Sequence, residues 1–240
     1  KLKKAGLTTV YLGLDGITEE PFAYLSGHYK EQSIFDYKLQ AIKNCAEIGL
    51  AVVLVPCVIP GVNDRQLGGI IRLAKEWMPA VKGVHFQPIS YFGNYPVEPQ
   101  NKDRITIPEV LRVIEEQTGG EVRRNNFLPA GCEHPQCSFH GFFILGKNGK
   151  LQALTKYQKR ERQESEAAKK ARRFTKSHWT YNERMTLTIG GMAFQDAWNI
   201  DLERLRRCVI HIISKDERLV PLCAKYLTGL DGKKNYPGIA

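Results

Sequence analysis

The feature that most constrains this chain is a continuous apolar run, Ala51–Ile59 (AVVLVPCVI), set between two amphipathic segments. Such a run predicts a strand buried on both faces, which a sheet provides only where helices cover it. Upstream, Ile34–Gly49 carries Leu39, Ile42, Cys45 and Ala46 on one helical stripe and stops at Gly49. Downstream, Arg65–Met78 repeats apolar residues at helical spacing, from Leu67 through Ile70, Ile71 and Ala74 to Trp77. The turn Pro60-Gly61-Val62-Asn63-Asp64 joins strand to helix, and Asn63 or Asp64 is expected to cap that helix.

The same alternation recurs on both sides. Thr8–Asp15 (TTVYLGLD) predicts a strand with Val10, Leu12 and Leu14 on one face and Tyr11, Gly13 and Asp15 on the other. Val81–Ser90 (VKGVHFQPIS) places Val84 and Phe86 on one face, His85 and Gln87 on the other. A helix over Ile107–Thr118 follows, halted by Gly119-Gly120. Strand–helix units in this order predict an α/β fold, either an open doubly wound sheet or part of a barrel. Beyond Gly120 the pattern breaks. A loop over Asn125–Phe139 precedes a hairpin around Lys147-Asn148-Gly149, then a basic helix over Lys156–Arg173. Met185–Trp198 shows no clear periodicity, Asp201–Arg207 reads as a short helix, and Cys208–Ser214 with Arg218–Leu222 reads as a second hairpin. The reading is therefore a βα domain over 1–120 and an irregular α+β domain over 121–240.

Composition narrows the function. No apolar run approaches the roughly 18 residues of a spanning helix, and no secretory leader is visible, so a cytoplasmic protein is expected. The net charge of +10 invites an anionic partner: nucleic acid, a phosphorylated small molecule or a lipid headgroup. Much of the excess lies in Lys156–Arg173, where Glu161, Glu164 and Glu166 interleave with the bases as on a solvated helix. Six cysteines without secretory features point to core thiols or metal ligands rather than disulfides. Cys45 and Cys57 fall on a helix stripe and in the buried run, where a thiol is a small hydrophobe. Cys132 and Cys137 sit in one loop at C-x4-C spacing, and Cys208 and Cys223 at the two ends of the second hairpin. Four such thiols suit a tetrahedral zinc or a [4Fe–4S] cluster, with His134 and His140 as reserve ligands. Asp15, His85 and Gln87, near strand ends, read equally as ligand contacts and as polar groups satisfied beneath a loop. No P-loop, nucleophile elbow, His-Glu-x-x-His helix or dinucleotide fingerprint is present.

Several stretches together resemble the radical S-adenosylmethionine (SAM) superfamily, in the branch of archaeal tetraether-lipid synthases and methanopterin-methylating enzymes. They are VLVPCVIPGVNDRQLGGIIRLA and GVHFQPISYFGNYP within Val53–Tyr95, the opening YLGLDG, and the tail AFQDAWNIDLERLRRCVIHIISKDERLVPLCAKYLTG. YLGLDG resembles the fourth-strand motif LQFDG, with Gly13 where that pattern has Gln. The resemblance implies a partial (β/α)6 barrel of which the later strands are present. The C-x3-C-x2-C loop that binds the SAM-cleaving [4Fe–4S] cluster is absent from this sequence and is expected before Lys1, which would make the chain a C-terminal fragment, inactive alone. Carried over by position, Asp15 meets SAM or substrate, Val58, Pro60, Gly61 and Val62 lie along adenine, and Gln87, Pro88 and Ser90 lie near adenine or substrate. Cys132, Cys137, Cys208 and Cys223 would hold an auxiliary [4Fe–4S] cluster. The implied chemistry is a 5′-deoxyadenosyl radical acting on unactivated carbon, by methylation or carbon–carbon bond formation, in a pterin-like, lipid or other small-molecule substrate. Implied partners are an electron donor such as ferredoxin or flavodoxin and, for a lipid substrate, an anionic membrane surface. The alternatives are a zinc-stabilised nucleic-acid-binding protein and a non-catalytic remnant domain.

Overall fold

A computed structural model of the chain describes residues 1–26, 33–93, 97–129, 133–157, 173, 178–229, 231–234 and 236. Its centre is a mixed sheet dominated by parallel strands. Strands β1 (Thr9–Leu12), β2 (Ala51–Leu54), β4 (Val81–Pro88) and β8 (Thr186–Met192) run parallel in that spatial order. The short β3 (Cys57–Val58) adds to β4 in parallel beyond the end of β2. Antiparallel strands complete the sheet: β6 (Ser138–Leu145) pairs with β8, and β5 (Leu128–Pro129) and β7 (Leu151–Ala153) pair with β6.

The expected strand–helix units are present. Helix α2 (Ile34–Glu47) opens where the Ser33 hydroxyl accepts the amide of Asp36. Helix α3 (Leu67–Glu76) follows the Gly61 turn, and α4 (Ile107–Gln117) begins in a Thr106/Glu109 capping box. A shorter α1 (Glu20–Ser26) follows β1. Every residue of β2 is buried, as its apolar run requires. The run does not make one strand, because the chain leaves the β2 ladder at Val55-Pro56 and resumes as β3. The capping expectation fails: neither Asn63 nor Asp64 caps a helix through its side chain, and Asn63 is wholly buried in other bonds.

Both hairpins form. The second consists of β9 (His211–Ile213) and β10 (Leu219–Pro221), flanked by α5 (Leu202–Arg206) and α6 (Leu222–Tyr226). The aperiodic stretch Met185–Trp198 contains β8, which pairs parallel with β4 and antiparallel with β6. Residues beyond Gly120 therefore extend the same sheet as those before it. The basic stretch lies almost entirely outside the described residues.

The two sheet faces differ. Leu54, Val84, Phe86, Ile189, Leu187 and Phe143 pack with Ile42, Ile70, Ile114 and neighbouring helix residues into one apolar core. The other face is aligned by register. His85 of β4, Gly190 of β8 and His140 of β6 lie side by side, and Gly83, Thr188 and Phe142 form the row below. The Trp179 ring lies edge-on to Tyr11 and to His85 on this face.

Candidate functional site

Parallel strands place their carboxyl ends on one edge, where α/β sheets take up ligands. Asp15 follows β1 at that edge, and its Oδ1 accepts the Cys57 amide at 2.8 Å. Asn63 ties three backbone segments together there. Its Nδ2 donates to the carbonyls of Asp15 (2.7 Å) and Cys57 (2.6 Å), while its Oδ1 accepts the Ile59 amide (2.7 Å). Val58 and Pro88 are buried and register-paired, and Gln87, half-buried, pairs with Cys57. Asp15, Val58, Gln87 and Pro88 are thus brought together on adjoining strand ends. Gly61 adopts a φ of +72°, the left-handed region, with nothing within 4 Å of where a Cβ would stand. Gly61 is exposed and Pro60 and Val62 are half-buried beside these strands.

Burial sets the charge of this edge. It raises the Asp15 carboxyl above its ordinary range, against the lowering effect of the Cys57 amide and Lys38. Burial and then the Asp15 charge push the Cys57 thiol up to about 12, so Cys57 is a neutral packing residue, as its place in the apolar run suggested. His85 is lowered to about 4 by burial, partly countered by Glu133, and His140 is lowered for the same reasons. The two imidazoles flanking Gly190 are therefore neutral near pH 7.

A second cluster lies past the end of β8. Cys137 ends the loop before β6, Cys208 precedes β9 and Cys223 lies in α6. All three line one small pocket with Glu133, His134 and Phe194. The Gln195 amide donates to Cys223 Sγ at 3.3 Å and Arg204 Nη2 to Cys137 Sγ at 3.2 Å, while the Cys208 thiol donates to the Ile210 carbonyl at 3.2 Å. Burial raises the Cys223 thiol, with the Gln195 amide opposing. Cys132 lies outside the described residues. Among the described residues, no three His, Cys, Asp or Glu side chains converge tightly enough for a single metal ion. The donor set nevertheless fits a cluster: thiols from separated segments at one pocket, two of them already accepting N–H bonds of the kind cluster sulfurs take. Reserve ligand His134 lines this pocket, whereas His140 lies in β6 beside Gly190.

The segment after β8 joins the two neighbourhoods. The Ala193 amide donates to the Cys137 carbonyl, and the Phe194 carbonyl accepts the Ser90 hydroxyl at 2.9 Å. Asp196, wholly buried, accepts the Tyr91 amide and a two-pronged bond from Arg104, Nη1 at 3.1 Å and Nη2 at 2.8 Å. Sequence reasoning missed Asn63, Arg104, Gln195, Asp196 and Arg204. Nothing in the local pattern separates them from capping or surface polar residues, because their partners lie far along the chain.

The chain is similar to the 7,8-dihydro-6-hydroxymethylpterin dimethyltransferase of Methanocaldococcus jannaschii, at 29% identity over 93% of this chain and 56% of that protein. It is also similar to GTP 3′,8-cyclases, at 26% identity over 46% of this chain for the Clostridium acetobutylicum protein and 29% over 39% for that of Nautilia profundicola. The chain spans about half the length of the dimethyltransferase (56%) and about a third and a quarter of the two cyclases (32% and 27%). No known family profile matches it. These relatives are enzymes, and they support the radical SAM resemblance read from the sequence.

Proposed function

We propose that this chain supplies the later sheet strands and the cysteine-bearing tail of a radical SAM enzyme that functionalises carbon on a pterin-like small molecule, by methylation or carbon–carbon bond formation. The similarity to a pterin dimethyltransferase along nearly the whole chain supports the substrate class. The observation that carries the reading is that Cys137, Cys208 and Cys223 line one pocket and that the segment after β8 bonds this pocket to the strand-end residue Ser90.

SAM, bound with a [4Fe–4S] cluster, would supply the radical that removes hydrogen from substrate. The residues of this chain position the reactants. Val58, Pro60, Gly61 and Val62 offer backbone and apolar surface to adenine, with Gln87, Pro88 and Ser90 beside them. Asp15 accepts the Cys57 amide through Oδ1, and its other carboxyl oxygen would be the one to meet SAM or substrate. Cys132, Cys137, Cys208 and Cys223 are the proposed ligands of an auxiliary [4Fe–4S] cluster. An electron donor such as ferredoxin or flavodoxin is the partner this chemistry requires.

Anaerobic purification of the chain, with iron, sulfide and zinc quantified and the visible spectrum recorded, tests the reading. About four iron and four sulfide per chain are expected, lost when Cys137, Cys208 or Cys223 is changed to Ala. One zinc without sulfide, or no metal, would overturn the auxiliary-cluster assignment.

A further inference from the structure

Arg204 stands out among the charged residues near the cysteines. It lies half-buried in α5, and its Nη2 donates both to Cys137 Sγ and to the Ala193 carbonyl, each at 3.2 Å. Its Nε is buried and has no hydrogen-bond partner among the described residues. Its Nη2 bonds tie the guanidinium to the cysteine pocket rather than to a carboxylate: no described acid lies within ion-pair distance of it, in contrast to Arg104 with Asp196 and Arg207 with Glu203. A buried guanidinium donor without an acceptor is unfavourable unless a partner arrives.

The backbone around Arg204 is built to hold it there. Asp201 Oδ1 accepts the amides of Glu203 and Arg204 at the start of α5. The Asp201 amide in turn donates to Gln195 Oε1 at 2.7 Å, and the Gln195 amide donates to Cys223 Sγ. Gln195 is almost fully buried, at 2% exposure. The chain of bonds therefore runs from the Cys223 sulfur through Gln195 and Asp201 to Arg204, and from Arg204 to the Cys137 sulfur. Two sulfurs from remote segments are held at the ends of one network, in which the Asp201 carboxylate caps α5 through backbone amides and the Arg204 guanidinium is the charged group bonded to sulfur.

We infer that Arg204 is the positioning and tuning residue of the auxiliary cluster, donating to its sulfurs and making its reduced form easier to reach. The inference rests on the cluster reading above. A cluster gains one negative charge on reduction, so a nearby fixed cation and N–H donors to sulfur favour the reduced state. The anionic cluster also supplies the acceptor that Nε lacks. Electrons enter and leave the cluster alone in this account, so no further reactant is needed beyond the external donor.

The test uses the anaerobically reconstituted chain and its Arg204→Gln and Arg204→Lys variants, with iron and sulfide counted and the midpoint potential read by spectroelectrochemical titration. Arg204→Gln keeps an amide donor and loses the charge; Arg204→Lys keeps the charge and loses the fork. The expected result is unchanged iron and sulfide with a potential lowered in Arg204→Gln by at least a tenfold fall in the reduced-to-oxidised ratio at fixed poise. That is about 59 mV for a one-electron couple. Arg204→Lys should recover most of that shift. Equal potentials at equal iron content in the wild type and both variants would overturn the role of Arg204 and leave the cluster reading standing. Failure of the wild-type chain to assemble iron and sulfide would overturn both. If Arg204→Gln alone fails to assemble a cluster, the Arg204→Lys potential decides, and a value at or beyond tenfold below wild type contradicts the charge argument.

Discussion

Replacing Asn63 with Ala should be among the most damaging single changes at the carboxyl edge of the sheet. The side chain is completely buried and makes three bonds to backbone, to the Ile59 amide and the Asp15 and Cys57 carbonyls, all between 2.6 and 2.7 Å. Truncation removes all three partners at once. The Ile59 amide lies in a residue that is 4% exposed, so its loss carries the full cost of a buried unmade bond, about 1–3 kcal/mol. The two carbonyls belong to half-buried residues that water can partly reach, which sets their combined cost lower, at roughly 1–2 kcal/mol. The sum is a loss of about 2–5 kcal/mol, a large part of the stability of an ordinary domain. Asn63→Asp separates the donor and acceptor roles. It keeps the acceptor for Ile59 but sets an anion against two carbonyl oxygens. It should be at least as destabilised as Asn63→Ala near pH 7 and recover as acid protonates the new carboxyl into a donor. Urea denaturation followed by circular dichroism, at neutral pH and near pH 5, measures both. A loss under about 1 kcal/mol for Asn63→Ala, or no recovery of Asn63→Asp in acid, would refute the reasoning.

Three further perturbations follow from the same geometry. Arg104→Ala leaves the wholly buried Asp196 carboxylate without its cation and should cost about 3–5 kcal/mol, whereas the double change Arg104→Met with Asp196→Leu should recover much of it; denaturant midpoints decide. Gly191→Ala places a methyl against the Phe86 carbonyl and the Phe139 ring between paired strands, so it should cost more than about 4 kcal/mol or yield insoluble protein, seen in expression and melting. His85, whose pKa falls from 6.5 to about 4 on folding, binds fewer protons in the folded than in the unfolded chain within that window, so stability is lost as pH falls from 6.5 towards 4. Between pH 7 and pH 5 the wild type should lose up to about 2 kcal/mol more than His85→Gln, and equal losses in paired urea titrations would contradict this.

The strand–helix frame was legible because its signals are local. The burial of β2, the stripes of α2 and α3, the opposed faces of β4 and both hairpins arise from residues within a few positions of one another. Strand β8 was not legible. Its sequence TLTIGGM is buried from Thr186 to Gly191 and paired on both sides, and its Thr/apolar alternation covers only Thr186–Ile189 before two glycines interrupt it. Its glycines also argue against a strand by propensity. They are there because neighbouring backbone leaves no room: a Cβ at Gly190 would meet the Phe139 carbonyl at 2.8 Å. The Asn63 misreading has a related cause. Asn before an apolar helix is an ordinary capping signal, and only the return of β1 and β3 to the same point gives the side chain better partners than the helix amides. Local pattern reports what a residue could do alone. The site residues are those whose partners come from another strand.

That distinction bears on how the two halves of the site act together. The residues from Ala193 to Asp201 form little regular structure, yet each of the first four is bonded to a different part of the chain: Ala193 to Cys137, Phe194 to Ser90, Gln195 to Cys223, Asp196 to Tyr91 and Arg104. A segment pinned at so many points has little freedom to shift one contact without the others. Charge is also partitioned along it, since Arg104 is matched by Asp196 on the strand-end side while Arg204 faces sulfur on the cysteine side. Displacing Ser90 or Tyr91 by a ligand at the strand ends would therefore be felt at Cys137 and Cys223 through one short stretch of backbone. The chemistry proposed for the two neighbourhoods demands such a link, because a group bound at the strand ends and a redox centre at the cysteines serve one substrate only if their spacing is fixed.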